Sequence, residues 1–187
     1  MGAGRRAVVL GEANDLRRAI AERLAAAGHT VTQLETGAAA AALDVEILVH
    51  LDATLTRSPG LVDPDHPFLE ARAAFQVIER AARSMELEGF GRIVHLRAAP
   101  ATTGSSSAAA ARATFELAGT LGVLQETARR LAPLGITLNV VTLMTSSGVP
   151  TERKATCSEV AALVEMLSHD QAGFMTAQSF SMVIGPG

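Results

Sequence analysis

The chain contains no tryptophan and no tyrosine, one cysteine (Cys157), and one lysine (Lys154) against fifteen arginines. Each shortage excludes something. A single cysteine cannot build a disulfide framework within the chain or a cysteine-ligated metal centre. Without tyrosine, no mechanism that needs a phenol as general acid or base is open to the chain. Charge of one sign is also lacking. Lys and Arg number 16, Asp and Glu 19, and the formal net charge is -3, with no basic block, so a nucleic-acid footprint is not expected. Long apolar runs are missing too. A membrane span needs ~20 such residues, whereas the Ala-rich runs Ala38–Ala42 and Ala108–Ala111 are short. Ala7–Leu10 is too short for the apolar core of a secretion signal. A cytoplasmic protein with no membrane contact is expected, and the preference for Ala and Arg over Lys suggests a bacterial source.

What is present describes a folded domain. Hydrophobic residues make up 48 % of the chain and charged residues 19 %, which excludes disorder. A chain of 187 residues buries roughly 70 % of its unfolded surface, enough for one core without staples. One domain over 1–187 is therefore expected. Short β-branched runs alternate with helical stretches. Ala7–Leu10, Thr30–Leu34, Val45–Leu51, Arg92–Leu96, Ile136–Leu143 and Gln178–Ile184 read as strands. Leu16, Ile20, Leu24 and Ala27 recur at helical spacing, predicting a helix from Asp15 to Ala27, with Asn14 or Asp15 as N-cap and Gly28 as its stop. Further helices are predicted over Pro67–Glu88, Ser105–Leu131 and Ser158–Ser168, the last with Ser158 as N-cap. Ala53–His66 reads as the longest irregular segment. Strand–helix alternation predicts an α/β fold, a doubly wound parallel sheet whose crevice lies beyond the strand carboxyl ends.

Several stretches carry a family resemblance. Val8-Val9-Leu10-Gly11 with Arg18-Ala19-Ile20-Ala21-Glu22-Arg23-Leu24-Ala25 resembles the first strand and helix of the classical short-chain dehydrogenase/reductase family. Ile47-Leu48-Val49, Gly91-Arg92-Ile93-Val94, the run from Ala128 to Val141, and the end from Glu159 to Gln178 resemble later parts of it in order. The resemblance implies a Rossmann-like fold over nearly the whole chain. It also implies truncation. Eleven residues separate Glu35 from Ile47, where the family has a helix and a strand, and the substrate-covering helices are missing between Gly148 and Cys157.

The functional motifs depart from the family pattern. The cofactor loop Thr-Gly-x-x-x-Gly-x-Gly is here Leu10-Gly11-Glu12-Ala13-Asn14-Asp15-Leu16-Arg17, with only Gly11 kept. Small residues let the backbone approach a pyrophosphate and offer it N–H groups. Asp15 is expected to place a carboxylate on those N–H groups and repel a phosphate, and Arg17 adds bulk. A competing reading has Arg17 recruit a phosphate. Glu35 stands where the family holds the adenosine ribose, so weak NAD binding stays open, although a solvated loop carboxylate is the preferred reading. Otherwise no cofactor is expected. The family's catalytic Ser, Tyr, Lys and Asn positions fall on Ala98, Ala113, Leu117 and Glu70.

Other chemistry in the same crevice would fall to His50, Asp52 and His95, with Arg97 and Glu70 nearby. Two histidines at strand ends can do acid–base work beside an Asp. Without a third ligand they make no metal site, and none is expected. The alternative is that these polar groups refill an abandoned pocket and satisfy one another. His29, His66 and His169 read as solvated turn residues.

In the family, the two long helices pack across a two-fold axis. Here they are 67–88, with Ala71, Ala74, Phe75, Ile78, Ala81 and Ala82, and 105–131, with Ala109, Ala113, Leu117, Leu121 and Leu124. Small residues permit close helix approach, though plain core packing explains them equally. The C-terminal stretch Phe180–Gly187 forms a second contact surface in family tetramers. The resemblance thus implies a non-catalytic subunit that associates with an active family paralogue, or with itself, and supports its stability or substrate pocket. Two alternatives stay open: an enzyme rebuilt around His50, Asp52 and His95, and a nucleotide-sensing protein.

Overall fold

The structure is a computed structural model that describes residues 4–35, 43–55, 69–99, 107–145 and 154–184. Six strands form one parallel sheet: β1 (Arg6–Leu10), β2 (Thr30–Leu34), β3 (Ile47–Leu51), β4 (Gly91–Ala98), β5 (Ile136–Thr145) and β6 (Ser179–Ile184). Their order is β2-β1-β3-β4-β5-β6. The chain reverses direction between β1 and β3, so the crevice lies where these two strands end. β1, β3 and β4 read as near-continuous apolar runs because both their faces are covered, and every residue of β3 is buried.

Among the described residues four helices cover the sheet: α1 (Asp15–Ala26) and α4 (Cys157–Ser168), with α2 (Leu69–Glu88) and α3 (Ser107–Leu131). α1 and α4 contribute Ile20, Leu24, Val160 and Val164 to one core, against Val9, Val49, Val94 and Leu96. α2 and α3 contribute Ile78, Met85, Leu124 and Leu131 to the other, against Leu10, Leu48, Ile93 and Leu138. Burying one such side chain stabilises by about 1.5–3 kcal/mol. The opening of α2 at Pro67, His66 and most of the irregular segment Ala53–His66 lie outside the described residues, as does 185–187 of the C-terminal tail.

Of the predicted caps, the choice between Asn14 and Asp15 falls on Asn14, and Ser158 is corrected. The N-cap of α1 is Asn14, whose Oδ1 accepts the Arg17 N–H at 2.8 Å. Asp15 is the first helical residue, and its carboxylate turns outward to Arg18 at 2.9 Å. At α4 the cap is Thr156, not Ser158. Thr156 Oγ1 accepts the Glu159 N–H, and the Glu159 carboxylate accepts the Thr156 N–H at 2.9 Å, a closed capping box. Gly28 ends α1 at φ 94°, as its position predicts.

The truncation fits the sheet order. β3 pairs with β1, and β2 is left as the edge strand beyond β1. The connection from Glu35 to Ile47 is too short to hold the family's additional helix and strand. The remainder of the sheet is held to its flanks by two buried polar side chains that composition did not single out. Asn139 is fully buried in β5. Its Nδ2 donates to the Met175 carbonyl at 2.9 Å and its Oδ1 accepts the Gln178 N–H at 3.2 Å, fixing the entry to β6. Arg92, buried in β4, donates to the carbonyls of Gly91, Gly135, His169 and Asp170 and lies over the Phe90 ring, whose other neighbour is Arg5. Burial pulls its guanidinium below the ordinary arginine range.

Candidate functional site

Two neighbourhoods meet at the carboxyl edge of the sheet. The first is the loop after β1. Gly11 has φ 153°, and a Cβ there would stand 2.6 Å from Leu51 Cβ. The glycine is needed for β1 to finish against β3. Its carbonyl, and that of Leu34 at the end of β2, accept from Arg17 Nη1 at 2.7 and 3.4 Å. Arg17 therefore folds back over the two strand ends where a dinucleotide would cross, and its own backbone N–H is taken by Asn14. The filling of the helix end from within, expected of Asp15, is performed by Asn14. Arg17 is engaged with backbone carbonyls in this structure, not with an anion. Glu35 is exposed just past β2. A pyrophosphate needs bare backbone donors at this turn. The residues present supply a guanidinium bound to carbonyls and a side-chain cap instead, so they do not fit the group.

The second neighbourhood is built by β3 and β4. Register pairs His50 with His95, which places both rings on one face of the sheet. Their Nδ1 atoms are 3.0 Å apart and the ring centroids 5.0 Å. Asp52 follows on the same face. Its Oδ1 accepts the Thr54 N–H at 2.9 Å, and its Oδ2 lies 3.5 Å from His95 Nε2. His50 is 3 % exposed, Asp52 5 % and His95 0 %. Burial, then the proximity of His50 and Arg97, hold His95 down at about 3 despite Asp52. Burial likewise lowers His50, with Asp52 acting against it. Both rings are neutral at neutral pH. The structure thus brings together His50, Asp52, His95 and Arg97, as the strand pattern predicted.

The residues at the positions that the resemblance assigns to catalysis lie on β4, α3 and α2. Ala98 ends β4, half-buried, and its N–H donates to Thr54 Oγ1 at 3.1 Å. Leu117 is half-buried on α3. Ala113 and Glu70 lie on α3 and α2, and their side chains are outside the description. Among the described residues no three His, Cys, Asp or Glu side chains gather in a way that would hold a metal ion. None of the described helices is long and apolar enough to cross a membrane.

The other histidines differ. His169 is exposed and its Nδ1 accepts the Gln171 N–H at 3.2 Å. His29 is corrected from a solvated residue to a half-buried one. Its Nδ1 accepts the Arg5 N–H at 3.3 Å, and burial lowers its pKa.

On the long helices, core packing holds for most of the described small and apolar residues. Ala74, Ile78, Ala81 and Ala82 of α2 are buried in the core, as is Leu124 of α3, and Leu121 packs against it. The side chains of Ala109 and Ala113 lie outside the description. The apolar residues that face outward on α3 are a different set. Ala111, Phe115, Ala118, Gly122 and Val123 are all exposed, Phe115 to 66 % and Val123 to 51 %. They are spaced four, three, four and one apart, a single stripe along the helix.

The fold as a whole has known counterparts. No family model matches the chain. It is 31 % identical over 122 residues to the 3-oxoacyl-[acyl-carrier-protein] reductase MabA of Mycobacterium avium, a match covering 54 % of this chain and 46 % of that one, less than half its length. With the MabA of Mycobacterium tuberculosis it is 28 % identical over 221 residues, covering 92 % of this chain and 88 % of that one. Since 92 % of 187 residues is about 172, roughly 49 of those 221 positions have no counterpart here. A Serratia marcescens short-chain dehydrogenase/reductase variant superposes with a TM-score of 0.74 at 25 % identity, over 97 % of this chain and 96 % of that one. Acetoin dehydrogenase YohF from Salmonella typhimurium gives 0.73 at 19 %, over 96 % and 95 %. In sequence the chain is similar to short-chain dehydrogenases/reductases, and it has their Rossmann-like fold in a chain shorter than their full length.

Proposed function

We propose that the chain is a non-catalytic subunit of a short-chain dehydrogenase/reductase assembly, acting in the bacterial cytoplasm by association with an active paralogue. The observation that carries this reading is the absence of tyrosine from the whole sequence. A family hydride transfer needs a phenol whose proton can move at working pH, and alanine and leucine at positions 113 and 117 provide neither that group nor the ammonium beside it. The scaffold is nonetheless kept, with complete cores on both faces of the sheet. Arg17 across the strand ends supports a subunit that works without a dinucleotide of its own.

The exposed stripe on α3 is the surface this reading assigns to the partner. A large side chain, Phe115, sits between Ala111 and Ala118, so a partner helix can approach closely on either side of it. Self-association through the same stripe is the competing arrangement. Co-purification with a family reductase encoded nearby tests the reading. A stable complex, and a change in that enzyme's activity or half-life, is expected. Separate elution with the enzyme's activity unchanged contradicts it.

A second reading, an enzyme rebuilt on His50, Asp52 and His95, is favoured by the 3.0 Å contact between the imidazoles. The burial of all three residues weighs against ready substrate access. Nucleotide sensing is the third, and calorimetry with NAD(H) and NADP(H) decides it.

A further inference from the structure

We propose that Asp52, His95 and His50 form an ordered hydrogen-bond chain that fixes the tautomer of both rings and leaves His50 Nε2 as an acceptor. Two neutral imidazoles 3.0 Å apart at their Nδ1 atoms share one proton across that contact, so one ring donates and the other accepts. There are two arrangements. If His95 donates, its Nε2 carries a lone pair that faces the Asp52 carboxylate at 3.5 Å, and the two acceptors repel. If His50 donates, His95 Nε2 carries the proton and presents it to Asp52. The second arrangement is the attractive one.

His95 is fully buried, and its Nε2 has no hydrogen-bond partner within ordinary reach. Orphaned buried polar atoms are rare. As an N–H aimed at a carboxylate, this one needs an approach of only a few tenths of an ångström to be satisfied. Asp52 is held where it can play this part. Its backbone N–H donates to the Leu96 carbonyl at 2.8 Å, and its Oδ1 accepts from Thr54, whose hydroxyl in turn accepts the Ala98 N–H. The carboxylate is thus tied to the ends of both strands that carry the histidines. Arg97, on the same face of β4, is the remaining charge acting on His95, and it helps keep that ring neutral.

The consequence falls on the far nitrogen of His50. With Nδ1 protonated, its Nε2 is a lone pair whatever binds beside it. Asp52 is a positioning residue in this scheme. It touches no ligand and acts through His95. Nothing in the scheme depends on a partner subunit, so it stands or falls separately from the proposed function.

Two-bond proton–nitrogen correlation spectra of the protein labelled with 15N-histidine test it at neutral pH, with His50→Gln and His95→Gln used for assignment. The expected result is His95 protonated on Nε2 and His50 on Nδ1. The reverse in either wild-type ring overturns the proposal, and that reading requires no folded variant. Asp52→Leu should remove the preference and mix the tautomers of both rings. Unchanged populations in a folded Asp52→Leu protein overturn the role of Asp52.

Discussion

Acidification from pH 7 to pH 5 perturbs the buried histidine pair before it reaches most carboxylates. An unfolded histidine titrates near 6.5, whereas His95 in the fold is held at about 3. Between those values the unfolded chain binds a proton that the folded chain refuses, so stability is complete above the unfolded value and falls as the pH drops. At pH 5 His95 is almost wholly protonated when unfolded and almost wholly neutral when folded. The resulting loss is about 2 kcal/mol relative to pH 7, at about 1.4 kcal/mol per pH unit once titration of the unfolded chain is complete. The lowered pKa of His50 acts in the same direction, as does that of His29. Urea unfolding followed by circular dichroism reads the effect. With a denaturant slope near 2 kcal/mol per molar, the midpoint should drop by about 1 M. Replacing both rings, His50→Leu with His95→Leu, removes both partners of the contact and should flatten most of this dependence. His29→Gln should leave most of it. A wild-type midpoint that holds steady from pH 7 to 5, or a double variant that loses as much as wild type, refutes the reasoning.

Other outcomes follow from single contacts. Gly11→Ala places a Cβ against Leu51 in a backbone region unfavourable to side chains, and should cost about 1–3 kcal/mol, read as a lower melting temperature. Thr156→Ala opens the capping box of α4 and should cost about 1 kcal/mol in the same assay, with Thr156→Ser nearly silent. Arg17→Ala frees the Gly11 and Leu34 carbonyls but restores neither the glycines of the cofactor loop nor the helix and strand that the family has between Glu35 and Ile47. Calorimetry with NAD(H) should therefore stay at the dilution baseline, and a measurable affinity contradicts this reading of the loop. Glu46→Gln should weaken the tie between the start of β1 and the strand beside it by about 1–3 kcal/mol, because the carboxylate accepts from Arg5 Nη1 at 2.8 Å and the Arg6 N–H at 3.0 Å.

The sheet was legible in the sequence because a parallel core writes itself plainly. Runs such as Ala7–Leu10 and Ile47–Leu51, each followed by turn chemistry, have few other readings. The meeting of His50 with His95 was legible for the same reason, since neighbouring parallel strands bring residues of matching depth together. The caps were less so. At Thr156-Cys157-Ser158 two hydroxyls compete, and only Glu159 in the third position after Thr156 marks the true box. At Asn14-Asp15 both residues cap well, and the choice turns on one residue of helical phase. α3 failed on phase in another way. It carries apolar residues on two sides, and periodicity alone does not say which side meets the sheet. Leu121 and Leu124 turn inward while Phe115 and Val123 turn out. Asn139 had a usable signal, a lone amide inside the β-branched run of β5, where burial demands partners. Arg17 had none, because its bond to Gly11 depends on where the helix begins.

On the proposed function, association with the partner runs through the outward stripe of α3. The most direct measurement is the solution mass, by light scattering, of the chain co-expressed with an active family reductase, for wild type and for Phe115→Asp. Phe115 is two-thirds exposed, so the variant should still fold, which a cooperative thermal transition checks. At a central contact it should weaken association by at least about 30-fold. Wild type should form a complex containing both chains, and the variant should run as separate species. Equal masses for the two, whether both assembled through another surface or both apart, would contradict it.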